Sequence, residues 1–170
     1  MLRVLIADDE SKVCQLIEKL VDWGALGMEV VAVAENGIEA LEKIKEFYPD
    51  IVITDIRMPG YDGLDLIRLG KEEAPNTEFV IISGYRHFEY AQMAIRYGVN
   101  AYLLKPIRKD ELTETLKRLS AHFKEQTEQL SLEEKRQRAI RSDEKNLRQA
   151  FLQDLVGRRN KEVLTQPLDR

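Results

Sequence analysis

The chain has 170 residues, 44% hydrophobic and 33% charged, with a formal net charge of −4, enough for one ordinary domain plus an extension. Five prolines, nine glycines and a single cysteine, Cys14, exclude a collagenous chain and a disulfide framework, and no apolar run nears the ~20 residues of a membrane span. The opening Met1–Asp8 turns acidic too early for a secretory signal, so a cytoplasmic protein with no membrane association is expected.

Charge is unevenly distributed. Residues 1–107 hold 11 Lys+Arg against 18 Asp+Glu, whereas residues 108–170 hold 15 against 12. No glycine occurs between Arg108 and Gly157, and no proline between Pro106 and Pro167. A boundary is therefore expected near 107–122, where a compact unit gives way to a charged helical tail.

In chain order, the first part alternates short apolar runs with helix-period segments. The runs Leu2–Ala7, Met28–Ala34, Asp50–Thr54, Glu78–Ile82 and Asn100–Leu104 are rich in Val, Ile and Leu and continuous, as strands buried on both faces of a parallel sheet are. Between them lie amphipathic stretches, Lys12–Val21, Ile38–Phe47, Gly63–Glu73 and Phe88–Tyr97. The first puts Val13, Leu16, Ile17, Leu20 and Val21 on one face. Such β-α repetition predicts right-handed crossovers, with helices on both sides of one parallel sheet.

Polar residues cluster where the strands end, and ligands of open α/β sheets bind at carboxyl ends. Strand one runs into Asp8-Asp9-Glu10, strand three into Asp55, strand four into Ser83-Gly84 and strand five into Lys105-Pro106. One acidic residue there could simply cap a helix; Asp8, Asp9 and Asp55 together need another account. At about 4 Å and an effective dielectric near 20, each like-charged pair costs about 4 kcal/mol, so a carboxyl protonates or a cation sits among them. Oxygen-only ligands fit Mg2+, with Mn2+ as the alternative, and the lack of a Cys/His cluster argues against zinc. A cation, an ammonium, a hydroxyl and one nucleophilic carboxylate suit phosphoryl transfer onto that carboxylate.

The motifs Asp8-Asp9, Asp55-Ile56-Arg57-Met58-Pro59-Gly60-Tyr61-Asp62-Gly63, Ser83-Gly84-Tyr85 and Tyr102-Leu103-Leu104-Lys105-Pro106 resemble the receiver domain of bacterial two-component response regulators over residues 1–120. The run Ser83–Ala91, with Trp23 in a long helix–strand connection, is similar to receivers attached to AraC-type DNA-binding domains. The resemblance implies an α/β fold: a doubly wound five-stranded parallel sheet, flavodoxin-like, of order 2-1-3-4-5, with a long C-terminal helical extension. It further implies Asp55 as phosphoacceptor for a sensor histidine kinase. Mg2+ would be held by Asp8, Asp9, Asp55 and the backbone carbonyl of Arg57. Lys105 would pair with a phosphoryl oxygen, Ser83 would be the switch hydroxyl and Tyr102 the aromatic that turns inward. Arg57 and Tyr85 would tune phosphate lifetime, and the Lys105–Pro106 peptide would be cis. The family is a signalling class, with self-phosphorylation and autodephosphorylation in place of enzymatic turnover. His87, Cys14 and Trp23 are expected to pack rather than react.

From Leu112 onward, steps of four and three connect Leu112, Leu116, Leu119, Phe123, Gln126, Leu130, Glu133, Gln137, Ile140, Glu144, Leu147, Phe151 and Asp154. The apolar members, Leu116, Leu119, Phe123, Leu130, Ile140, Leu147 and Phe151 among them, form a seam. Its start would pack on the receiver; its continuation over 121–157 reads as a linker able to pair with a second copy in a parallel coiled coil. Residues 158–170 read as a tail or the start of an output domain, with any DNA contact made by residues outside this chain. Two other readings compete. A dehalogenase-type phosphatase needs an aspartate where Arg57 stands. The other is a receiver-shaped dimerisation module that works without phosphorylation.

Overall fold

The computed structural model describes residues 1–84 and 86–164, with side chains through Arg159. The elements are β1 (Leu2–Ala7), α1 (Ser11–Leu20), a 3-10 turn (Gly24–Leu26), β2 (Met28–Ala34), α2 (Gly37–Phe47), β3 (Ile51–Thr54), α3 (Gly63–Glu73), β4 (Glu78–Ser83), α4 (Phe88–Arg96), β5 (Ala101–Leu104) and α5 (Lys109–Leu164). Each apolar run is a strand to within one residue at either end, and each amphipathic stretch is a helix. The strands form one parallel sheet of order β2-β1-β3-β4-β5, the doubly wound arrangement expected.

Burial explains the unbroken apolar runs. β3 is wholly buried, and β1 and β4 nearly so, because helices cover both faces of the sheet. The largest fully buried side chains include Phe79, Leu5, Ile53, Leu66 and Ile67. Local signals set the helix starts. The Asn36 side chain accepts from the Glu39 N–H at α2, and Asp62 accepts from the Asp65 N–H at α3. At the far end of α2, Tyr48 takes a left-handed backbone, φ 44°, at a position glycine normally fills.

By internal contacts the chain divides into two compact units, Met1–Ala121 and His122–Arg170. In the first, Leu112, Leu116 and Leu119 are buried. In the second, Leu130, Ile140, Leu147 and Phe151 are each at least half exposed. Gly157 does not end α5, which runs on to Leu164; one glycine costs a helix about 1 kcal/mol relative to alanine without breaking it. The remainder of the expected tail, 165–170, lies outside the described residues. No described helix is long and apolar enough to cross a membrane.

Candidate functional site

The strand register brings the polar strand ends level with one another. Ala7 pairs with Thr54, Thr54 with Ile81, and Ser83 with Leu104. Backbone bonds extend this ladder into the connections: Asp8 N–H to Ala34 O, Asp55 N–H to Ala7 O and Lys105 N–H to Ser83 O. Asp8, Asp55, Ser83 and Lys105 therefore share the carboxyl edge of the sheet. The Lys105–Pro106 peptide is cis.

Lys105 is the centre of the cluster. Its Nζ donates to Asp8 Oδ2 at 3.0 Å and to Asp55 Oδ2 at 3.1 Å, and lies 3.8 Å from Glu10 Oε1. The other oxygens of the two aspartates are held by the main chain, Asp8 Oδ1 by the Glu10 N–H at 2.9 Å and Asp55 Oδ1 by the Ile56 N–H at 2.7 Å. Asp8 is not the N-cap of α1, which is Glu10; one of its oxygens is held by the main chain and the other by Lys105. Burial pushes the Asp8 carboxyl above its ordinary value, against the Glu10 N–H and Lys105, which favour ionisation. Burial alone would lower the Lys105 ammonium, but the hydrogen bond to Asp8 and the charge of Asp55 outweigh it and raise its pKa.

Carboxylate oxygens of Asp8, Asp9 and Glu10 all lie within 4.8 Å of one another, Asp8 buried and the other two exposed. All-oxygen donors, partly open to water, fit a hard divalent cation such as Mg2+ and would suit neither zinc nor copper. Asp55 is not a member of this trio, although it shares the Lys105 ammonium with Asp8. Glu10 is the residue that the sequence reading left without a role. Its signal was present in the acidic triplet after β1, but a residue one step into the loop carries no orientation in sequence.

Ser83 is fully buried, and its hydroxyl shares a hydrogen bond with the half-buried Tyr102 phenol. Burial raises the phenol pKa, and the nearby Asp55 charge raises it further. Arg57 is exposed in the β3–α3 connection, two residues beyond Asp55. Tyr85 lies outside the described residues. That connection is tightly held at its end: Gly63 N–H donates to Ile56 O at 2.6 Å, and a Cβ on Gly63 would stand 2.1 Å from the Asp55 carbonyl oxygen. Cys14 is buried with its thiol 3.5 Å from Asp8 O, and burial pushes that thiol up to about 11. The His87 ring packs edge-on against Tyr90, 5.3 Å between centroids, and the Trp23 indole N–H donates to Glu18 O.

Known proteins share this fold. Residues 4–117 match the family described as the response regulator receiver domain. The chain is 41% identical over 126 residues to the transcriptional regulatory protein YesN of Bacillus subtilis, covering 74% of this chain and 34% of YesN. It is 36% identical over 129 residues to the transcriptional regulatory protein HptR of Staphylococcus aureus, covering 76% of this chain and 50% of HptR. It therefore spans a third to a half of the length of these relatives. Among solved structures, the REC domain of AraT, a response regulator from Geobacillus stearothermophilus, superposes with a TM-score of 0.71 at 40% identity, covering 74% of this chain and 98% of that one. With its family match spanning the sheet and the acidic edge alike, the chain belongs to the response regulator receiver family and is a module of two-component signalling.

Proposed function

We propose that this receiver accepts a phosphoryl group on Asp55 from a sensor histidine kinase, in a Mg2+-dependent reaction in the cytoplasm. The observation that carries the reading is the Lys105 ammonium bridging Asp8 and Asp55 beside the oxygen trio of Asp8, Asp9 and Glu10. Asp8 and Asp9, with Asp55 and the Arg57 carbonyl, would hold the cation, and Glu10 stands close enough to join them through water. When bound, the cation neutralises phosphoryl oxygens as charge shifts between donor and acceptor.

In the transfer, an Asp55 carboxylate oxygen attacks phosphorus. The new P–O bond forms as the P–N bond of the kinase phosphohistidine breaks, and the electron pair returns to the imidazole. Lys105 exchanges its bond to Asp55 for one to the incoming phosphoryl group. Ser83 leaves Tyr102 to donate to another phosphoryl oxygen, and the phenol follows inward. Attack of water on phosphorus breaks its bond to the Asp55 oxygen, releases inorganic phosphate and returns the resting state, with Arg57 and Tyr85 in the role of residues that tune its lifetime.

The phosphorylated state would reach an output domain through the helical tail. The relatives are transcriptional regulatory proteins longer than this chain, which supports a DNA-binding output, of AraC type, outside it. In a parallel pair of tails, Leu130, Ile140, Leu147 and Phe151 would meet their copies, and Asp143 would face Arg148 of the second copy. Arg136 would oppose Arg141, and Glu133 and Glu144 would meet themselves. A seam so mixed associates marginally, and a marginal equilibrium is the kind that a phosphoryl group can shift. The exposed seam also supports the second reading, a module that dimerises without phosphorylation.

The test is incubation with acetyl phosphate and Mg2+ followed by intact mass. One added phosphoryl group, absent in Asp55→Asn and without Mg2+, is expected; unchanged mass in the parent chain would sink the proposal.

A further inference from the structure

The connection from Asp55 to α3 is clamped from the side by a helix that contributes no group to the acidic cluster. The Gly37 N–H, at the start of α2, donates to Pro59 O at 3.0 Å. A Cβ at Gly37 would lie 1.9 Å from the Tyr61 carbonyl oxygen, 2.6 Å from its carbon and 2.7 Å from Tyr61 Cβ. Two backbones are thus in direct contact, with no room for a side chain. The next residue, Ile38, lies over Gly60, where a Cβ would meet Ile38 Cγ1 at 2.7 Å. Gly60 itself turns the chain with φ 79°. Asn36 fixes the position of this helix start by capping it.

From these relationships we infer that the first turn of α2, through Gly37 and Ile38, positions the metal-side loop and so sets the receiver's affinity for its divalent cation. The inference rests on the proposed function, in which the Arg57 main chain is a ligand. Asp55 has its own anchors, the β1 ladder and the Ile56 N–H. The stretch from Arg57 to Tyr61 is held at its far end by Gly63 and along its length by α2. Displacing the α2 contact therefore moves the loop oxygen while leaving the phosphoacceptor in place. Gly37 and Ile38 touch neither cation nor phosphate and act only as positioning residues. Supporting residues around metal ligands typically alter affinity ~10-fold or more when changed.

The experiment uses the full chain, its Gly37→Ala variant and its Ile38→Ala variant, which removes the exposed cover without a clash. Mg2+ binding is read as the rise in melting temperature across a Mg2+ titration. Acetyl phosphate labelling of Asp55 is followed in parallel at limiting and saturating Mg2+. In Gly37→Ala the Mg2+ midpoint should rise about tenfold, with a smaller rise in Ile38→Ala, and the labelling rate should recover toward the parent value at saturating Mg2+. A parent-like midpoint in both variants overturns the inference, as does a labelling defect that Mg2+ does not relieve. If Gly37→Ala fails to fold, Ile38→Ala decides alone. A parent chain that neither binds Mg2+ nor is labelled sinks the proposed function itself, whereas a labelled parent with unaltered variants sinks only the positioning role.

Discussion

Lys105 Nζ stands 3.1 Å from Asp55 Oδ2, fifty positions away in sequence. The same ammonium serves Asp8, so one positive charge faces two buried carboxylates with Asp9 and Glu10 close by. The resting site is short of positive charge, and its stability answers to any change in that balance.

Removing the lysine leaves the carboxylates without a counter-ion. Lys105→Ala should destabilise the metal-free protein by about 2–3 kcal/mol, less than for a fully buried pair because the lysine is partly exposed. Saturating Mg2+ should recover more stability in this variant than in the parent. Urea unfolding with and without Mg2+ measures both; an unchanged metal-free midpoint would contradict the charge assignment.

Neutralising Asp8 should act in the opposite sense. Its carboxyl is raised in the folded protein above the ordinary 3.8, so the folded state holds the proton more tightly than the unfolded chain does. Stability therefore falls as pH rises from about 3.8 through the raised value, and the ionised group remains a deficit at neutral pH. Asp8→Asn should be more stable than the parent at pH 7 without metal, with the gap closing on acidification through that window. Denaturant midpoints at a series of pH values provide the comparison, and a gap that widens toward acid would refute the sign.

Tyr48 offers a stabilising change far from the site. Its left-handed backbone, φ 44°, burdens an exposed side chain at the end of α2. Tyr48→Gly should raise stability by about 0.5–1 kcal/mol, the steric relief being partly offset by glycine's greater freedom when unfolded. Thermal melting decides it, and phosphoryl labelling should not change.

The tail can be tuned through its seam. Glu144→Leu should strengthen self-association and Ile140→Glu should abolish it, neither altering labelling at Asp55. Sedimentation with and without a beryllofluoride phosphate mimic should show the parent shifting toward dimer. An identical mass distribution in both conditions would remove the tail from the switch.

The sequence shows the strands clearly because each is a buried apolar run with a polar stop, and Asp8, Asp55, Ser83 and Lys105 are legible as those stops. Their convergence follows from the parallel sheet alone. The skip in pairing between Val4 and Leu5 along β2 leaves no such mark, since Val30–Ala34 is apolar on either side of it. Tyr48 was hidden for another reason: glycine is the usual sign of a left-handed cap, and here only Pro49 signals the break. The grip of α2 on the loop depends on two backbones meeting at Gly37 and Tyr61, and a pair so distant in the chain has no periodicity to reveal it.

Cys14, the chain's single cysteine, is packed beneath the Asp8 carbonyl with its thiol pushed up to about 11. An alkylating reagent can reach it only after α1 peels from the sheet, so the rate of its modification counts sub-global openings next to the acidic edge. Occupancy of that edge by a cation or a phosphoryl group would then be recorded as slower alkylation, with the protein carrying its own native chemical clock.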